Sequence, residues 1–246
     1  VENKGKIFHS SKYGNITVID YRSSDEVYCV FEDTGYKTCA TMGDIRKGCV
    51  KDRLVPTVYG VGYLSDSATR QGKTHLPQYV FWTGMLKRCY SASFVEKHPS
   101  YRGCSVSDNF KNYSYFKEWS ENQIGFGNEG WQLDKDILVK GNKIYSEDTC
   151  CFVPPDINNA FCKANKTRGS CSIGVYFDKT SCKFVAQISL NGKLKKLGSF
   201  NSEKEAFLRY KIEKELHFKF LADSYKNMID IRVYEALINY TVSVDD

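Results

Sequence analysis

Hydrophobic and polar positions follow a strand-like pattern in residues 5–64 and 170–200 and a helical period between these stretches and again after Ser202. Lys6-Ile7-Phe8, Ile16 to Tyr21 and Glu26 to Phe31 are rich in β-branched and aromatic residues, the composition of strands. Tyr13-Gly14-Asn15, Ser23-Ser24-Asp25 and Asp33-Thr34-Gly35 punctuate them as turns. Strands this short and turns this close predict a small β-barrel over residues 1–64. The polar run Ser65–Lys73 reads as a linker. Tyr79 to Trp82, Met85-Leu86 and Cys89-Tyr90 then recur at helical spacing, and Phe110, Tyr113, Phe116 and Trp119 predict a second helix. Glu96–Ser107 between them reads as a loop. Trp131 to Asn158 predicts two short strands and a short helix after Pro154-Pro155.

Residues 170–200 return to strands, at Cys171–Phe177, Lys183–Ser189 and Lys195–Phe200, with Asn191-Gly192 as a hairpin turn. Ser202-Glu203-Lys204-Glu205 has the form of a capping box, so a helix starts at Ser202. Ala206, Tyr210, Ile212, Leu216, Phe220 and Leu221 fit one buried stripe on it. Ile229 to Tyr240 predicts a last packed element. The fold class is therefore α+β in three parts: a small barrel (1–64), a central strand–strand–helix module (74–162) and a three-stranded sheet with a backing helix (168–246).

Composition narrows the functional classes. Hydrophobic residues make up 41% of the 246 and charged residues 26%, which excludes a disordered chain. No run approaches the ~18 apolar residues of a membrane span, so no membrane partner is expected, and the start lacks the apolar core of a secretion signal. The ten cysteines include no Cys-x-x-Cys pair. Most lie in apolar runs, where a thiol acts as a small hydrophobe, so a reducing, cytoplasmic setting with neither disulfides nor structural zinc is expected. The net charge of +6 is unevenly spread: residues 1–64 hold nine Lys/Arg against eight Asp/Glu, and residues 163–200 hold eight against one, Asp178. A local basic excess is the footprint of a nucleic-acid binder.

Motifs sharpen this. Trp82-Thr83-Gly84-Met85-Leu86-Lys87-Arg88-Cys89 resembles the W-x-x-M-x-x-R-C helix of bacteriophage proteins related to HNH homing endonucleases. Pro99 to Val106, Phe110 to Trp119, and Leu133 through Thr149-Cys150-Cys151-Phe152-Val153-Pro154 to Asn158 follow in that family's order. The resemblance spans about 80 residues and implies a ββα nuclease core in 74–162. It places catalytic candidates at Asp134, Lys135, Asp136 and Asn158, with Asp134, Asp136 and Asn158 as ligands for Mg²⁺ or another divalent metal. The chain departs from the family where a His should act as general base. Lys135 or Asp136 stands there, and the four histidines (His9, His75, His98, His217) lie outside the motif. His98, in the preceding loop, is the nearest substitute. Activity, if present, is expected to be metal-dependent and slow; a degenerate scaffold is the other expectation.

A second resemblance covers 173–210. Ile173 to Tyr176, Lys183 to Ile188, Lys196 to Phe200 and Ser202 to Ala206 look like the Apetala/ethylene-response-factor DNA-binding domain, whose three-stranded sheet enters the major groove. Strand alternation independently turns Phe184, Ala186 and Ile188 to the helix and Lys183, Val185, Gln187 and Ser189 outward. The resemblance gives DNA-facing roles to Tyr176, Gln187, Ser189 and Lys196. Lys183 joins them, and Lys193 and Lys195 are placed as phosphate contacts near the turn. Gln187 suits bidentate contact with adenine. The expected function is double-stranded DNA binding by a phage-type protein derived from an HNH homing endonuclease, in the host cytoplasm. The rival expectations are an active endonuclease, and a phage protein whose nearly neutral N-terminal domain binds and inhibits a host protein.

Overall fold

A computed structural model describes residues 3–161, 170–190 and 192–244. Cys162, Asn191 and the basic residues Lys163, Lys166 and Arg168 lie outside the described residues. The chain is α+β with several small sheets. It divides into two compact units, Val1–Glu118 and Trp119–Asp246.

The first unit begins with four strands, β1 (Ile7–Ser10), β2 (Gly14–Tyr21), β3 (Val27–Phe31) and β4 (Lys37–Ala40). They pair antiparallel in sequence order, β1-β2-β3-β4. The expected barrel is absent among the described residues: β1 and β4 are not paired to each other, and the sheet stays open. Its buried face, Ile16, Val18, Val27, Cys29 and Phe31, is completed by Met42 and Ile45. Both come from the short helix α1 (Met42–Arg46), which Thr41 caps by accepting from Asp44 N. That helix supplies the apolar cover a closing strand would otherwise provide.

The polar run expected as a linker is tied down. Arg53 donates to the Ser67 carbonyl at 2.5 Å, Ser67 N to Ser114 Oγ at 3.0 Å, and Tyr113 Oη to the Ala68 carbonyl at 3.2 Å. It leads into a two-residue hairpin, β5 (Arg70–Gln71) and β6 (Thr74–His75). Helix α2 (Pro77–Tyr90) follows, with Pro77 in its first turn and Trp82, Met85 and Leu86 buried. Beyond α3 (Ala92–Lys97), a 3₁₀ turn at Pro99–Tyr101 and a short extended stretch, β7 (Ser105–Val106), lies the expected second helix. It is split at Asn112 into α4 (Asp108–Lys111) and α5 (Tyr113–Glu121). Phe110, Tyr113 and Phe116 are fully buried, and Trp82 Nε1 donates to the Phe110 carbonyl at 2.7 Å.

The second unit holds β8 (Gln132–Asp134), β9 (Ile144–Tyr145), β10 (Cys151–Val153) and α6 (Pro155–Ala160). β8 and β10 pair antiparallel, with Asp134 opposite Cys151. Cys150, the whole of β10 and Ile157 of α6 are buried. The C-terminal strands are β11 (Val175–Asp178), β12 (Lys183–Leu190) and β13 (Lys193–Phe200), in the order β11-β12-β13. The long helix α7 (Glu203–Tyr225) starts at a complete Ser202–Glu205 capping box, and α8 (Ile231–Ile238) follows it. Val175, Ala186 and Ile188 of the sheet pack with Ala206, Phe207 and Tyr210 of α7 and with Val242.

The stripe expected on α7 is only half right. Ala206, Tyr210 and Leu221 are buried, but Ile212, Leu216 and Phe220 are exposed. At 100° per residue the first three cluster on one side, and the others point away from it. The nine cysteines among the described residues are all free thiols. No helix of the described residues is long and apolar enough to cross a membrane.

Candidate nucleic-acid interface

Register assigns each candidate in the C-terminal sheet to a face. Phe184 lies opposite Phe200 and Phe177, and Ala186 lies opposite Val175 and Gly198. These rows, with Ile188, face α7. The intervening rows therefore face away from it: Tyr176–Val185–Ser199, Asp178–Lys183, Gln187–Lys196 and Ser189–Leu194. Tyr176, Lys183, Gln187, Ser189 and Lys196 thus share one surface. Lys183, Ser189 and Lys196 are exposed there, Tyr176 is 41% exposed, and Gln187 is partly so. A bulge between Ala186 and Gln187 shifts the register by one residue. It brings Lys196 rather than Leu197 across from Gln187. Gly198 in mid-strand is the sequence sign of that bulge.

Val185, expected to point outward, lies on this face but is fully buried, between its ladder partners Tyr176 and Ser199. Lys193 and Lys195 fall on the opposite, helix-side face, across from Leu190 and Ile188. Lys195 Nζ sits 2.8 Å from Glu213 Oε1 of α7, and Arg209 Nη2 sits 2.9 Å from Oε2 of the same carboxylate. These cations, Lys195 foremost, hold the Glu213 carboxyl below its ordinary range. The one acid on the outer face, Asp178, turns inward on its own loop. It accepts from Thr180 N at 3.0 Å and Ser181 Oγ at 2.8 Å, and these bonds hold its carboxyl low. Sequence reading missed Leu194, 68% exposed on this face, because its position depends on the bulge.

The central candidates occupy one turn and one helix. Asp134 Oδ1 accepts from Asp136 N at 2.8 Å and Ile137 N at 2.9 Å. Burial, then the adjacent Asp136 charge, pushes the Asp134 carboxyl up to about 6. Lys135 is buried, with Nζ 3.3 Å from Asp136 Oδ2 and 5.8 Å from the Tyr145 ring centre. Asn158 Nδ2 donates to Gln132 Oε1. A backbone turn and an ammonium compete with a divalent ion at these carboxylates. Asp134 commits an oxygen to two backbone N–H groups, Asp136 carries an ammonium, and Asn158 turns its amide to Gln132. Among the described residues no three His, Cys, Asp or Glu side chains converge as ligands. His98 stacks on Phe94 at 4.3 Å in the first unit.

The raised carboxyl has a measurable consequence. The folded chain holds the Asp134 proton more tightly than an unfolded aspartate, whose value is 3.8. Stability from this group is therefore full below about pH 4 and lost as pH rises through about 6. Asp134→Asn keeps the Oδ1 acceptor and removes the charge. Relative to wild type it should gain on the order of 2 kcal/mol at pH 7 and nothing at pH 4. Urea unfolding at both pH values measures this; an equal difference at both would contradict it.

Comparison with known protein families, curated proteins and solved structures finds no match for the chain.

Proposed function

We propose that the protein binds double-stranded DNA through the outer face of the β11–β13 sheet. The observation that carries this reading is the shared surface of Tyr176, Lys183, Gln187, Ser189 and Lys196, in a segment with eight basic residues and one acid. A twisted three-stranded sheet backed by a helix presents alternate side chains at a spacing suited to base edges and phosphates. The one acid on the face, Asp178, is held by its own turn and stays ionised, so it is the lysines around it that must outweigh its charge. The sequence resemblances support descent from a phage-type HNH homing endonuclease. In this reading the central strand–strand–helix module serves as a scaffold: its candidate catalytic side chains Asp134, Lys135, Asp136 and Asn158 are engaged with one another, with Gln132 and with nearby backbone.

Gln187 is the candidate reader. Gln187→Ala should cost about 1–3 kcal/mol on the preferred sequence and leave affinity for random DNA nearly unchanged. Sequence selection from a randomised duplex pool, followed by competition binding, measures both. An unchanged preference in the variant would remove Gln187 from the reading face.

A further inference from the structure

α7 carries a line of large apolar side chains that its own fold does not use. Leu208 (45% exposed), Ile212 (51%), Leu216 (56%) and Phe220 (65%) stand four residues apart, forming a single i±4 ridge. Ala206, Phe207 and Tyr210 turn into the sheet core, and Phe218, Leu221 and Ala222 are buried too. The ridge lies away from these, and nothing among the described residues buries it. A surface helix ordinarily gives such a face to polar side chains. Here it presents on the order of 400 Å² of contiguous apolar surface, the size that marks an interaction site.

We propose that the ridge seats a second copy of this chain about a two-fold axis through Ile212. A two-fold interface places the same patch on both partners, and two i±4 ridges interdigitate with helix axes crossing near −50°. With the axis at Ile212, the two Ile212 side chains meet and Leu208 packs on Leu216 of the second copy. The flanking charges fit the same axis. The exposed Glu205 faces Lys219 of the second copy, and Lys204 faces the Phe220 ring, a cation–π geometry. An axis midway between Ile212 and Leu216 would set Glu205 against Asp223 and Arg209 against Lys219, like against like. Charge therefore disfavours the midway axis and is compatible with the axis at Ile212. Covering both ridges and their flanks buries roughly 1,000 Å² in total, the threshold of a specific interface. The inference is independent of the DNA reading.

Sedimentation equilibrium of the full chain tests it. Wild type should dimerise with a Kd in the range of about 1–50 μM, typical of a small apolar interface. Ile212→Asp should weaken association at least ~100-fold, by burying a charge at the axis. Its circular dichroism should stay that of the folded chain, because the residue is exposed, and below the wild-type Kd its melting temperature should fall by no more than the small helix-propensity cost of Asp. Glu205→Gln, which preserves the capping box, and Lys219→Gln should each weaken the dimer about threefold, and the double variant no further. A wild type that stays monomeric to ~200 μM overturns the proposal. A dimer indifferent to Ile212→Asp overturns it as well, and independent, additive effects at Glu205 and Lys219 overturn the axis.

Discussion

Gly174→Ala should lower stability by about 3 kcal/mol, adding a left-handed backbone penalty of about 1–2 to an overpacking cost of about 1–3. Gly174 precedes β11 with φ +74°, and a Cβ there would lie 2.1 Å from Cδ2 of Tyr210. That ring is buried between sheet and helix, so it has no solvent to move into. The same glycine accepts Gln187 N at 2.8 Å through its carbonyl. Any shift of Gly174 is thus transmitted to the candidate reading residue. Gly192→Ala is the control: its φ is also +74°, but nothing lies within 4 Å of the added Cβ. It should cost only the backbone term, about 1–2 kcal/mol. Chemical denaturation of the two variants separates the terms. Equal losses would mean that the Tyr210 contact yields freely, and that the sheet–helix seam is looser than described.

Much of the C-terminal unit was legible because its signals are local. The Ser202–Glu205 capping box fixed where α7 begins, and period-2 alternation put Ala186 and Ile188 against the helix. What the sequence did not reveal depended on tertiary arrangement. One apolar stripe on α7 was read where the helix has two directions, a buried one through Ala206 and Tyr210 and an exposed ridge through Ile212 and Leu216. Hydrophobicity alone does not say which side meets the sheet. A one-residue bulge moved Lys196 opposite Gln187, and no alternation count anticipates an inserted residue. Lys195 looked like a free phosphate contact, but its charge is taken by Glu213, 18 residues further on. At the N-terminus, short strands with close turns suggested closure, yet Met42 and Ile45 of a five-residue helix complete the core of an open sheet. In the central module, Lys135 was legible as a residue standing where a His would be. Its burial against Asp136 and Tyr145 was not, because that depends on the turn Asp134 builds with its own backbone.

Charge on the outer face should dominate affinity for DNA, and its effect should be large. Each phosphate neutralised releases condensed counterions, so the logarithm of the binding constant falls with that of salt at about −0.9 per contact. Lys183 and Lys196, with Lys179 in the adjoining turn, predict roughly three contacts, hence a fall of about 50-fold between 50 and 200 mM salt. Removing Lys183 and Lys196 together should flatten the slope by about two. Lys195→Ala should leave it nearly unchanged, because that ammonium already serves Glu213 on the helix side.

The decisive measurement is fluorescence-anisotropy binding of the full chain to a short duplex, titrated in salt, for wild type, the Lys183→Ala/Lys196→Ala double variant and Lys195→Ala. The outer-face reading requires salt-sensitive binding in wild type, a markedly shallower slope in the double variant, and a wild-type slope in Lys195→Ala. Absence of binding, salt-independent binding, or a slope that responds to Lys195 and not to the outer pair would contradict it.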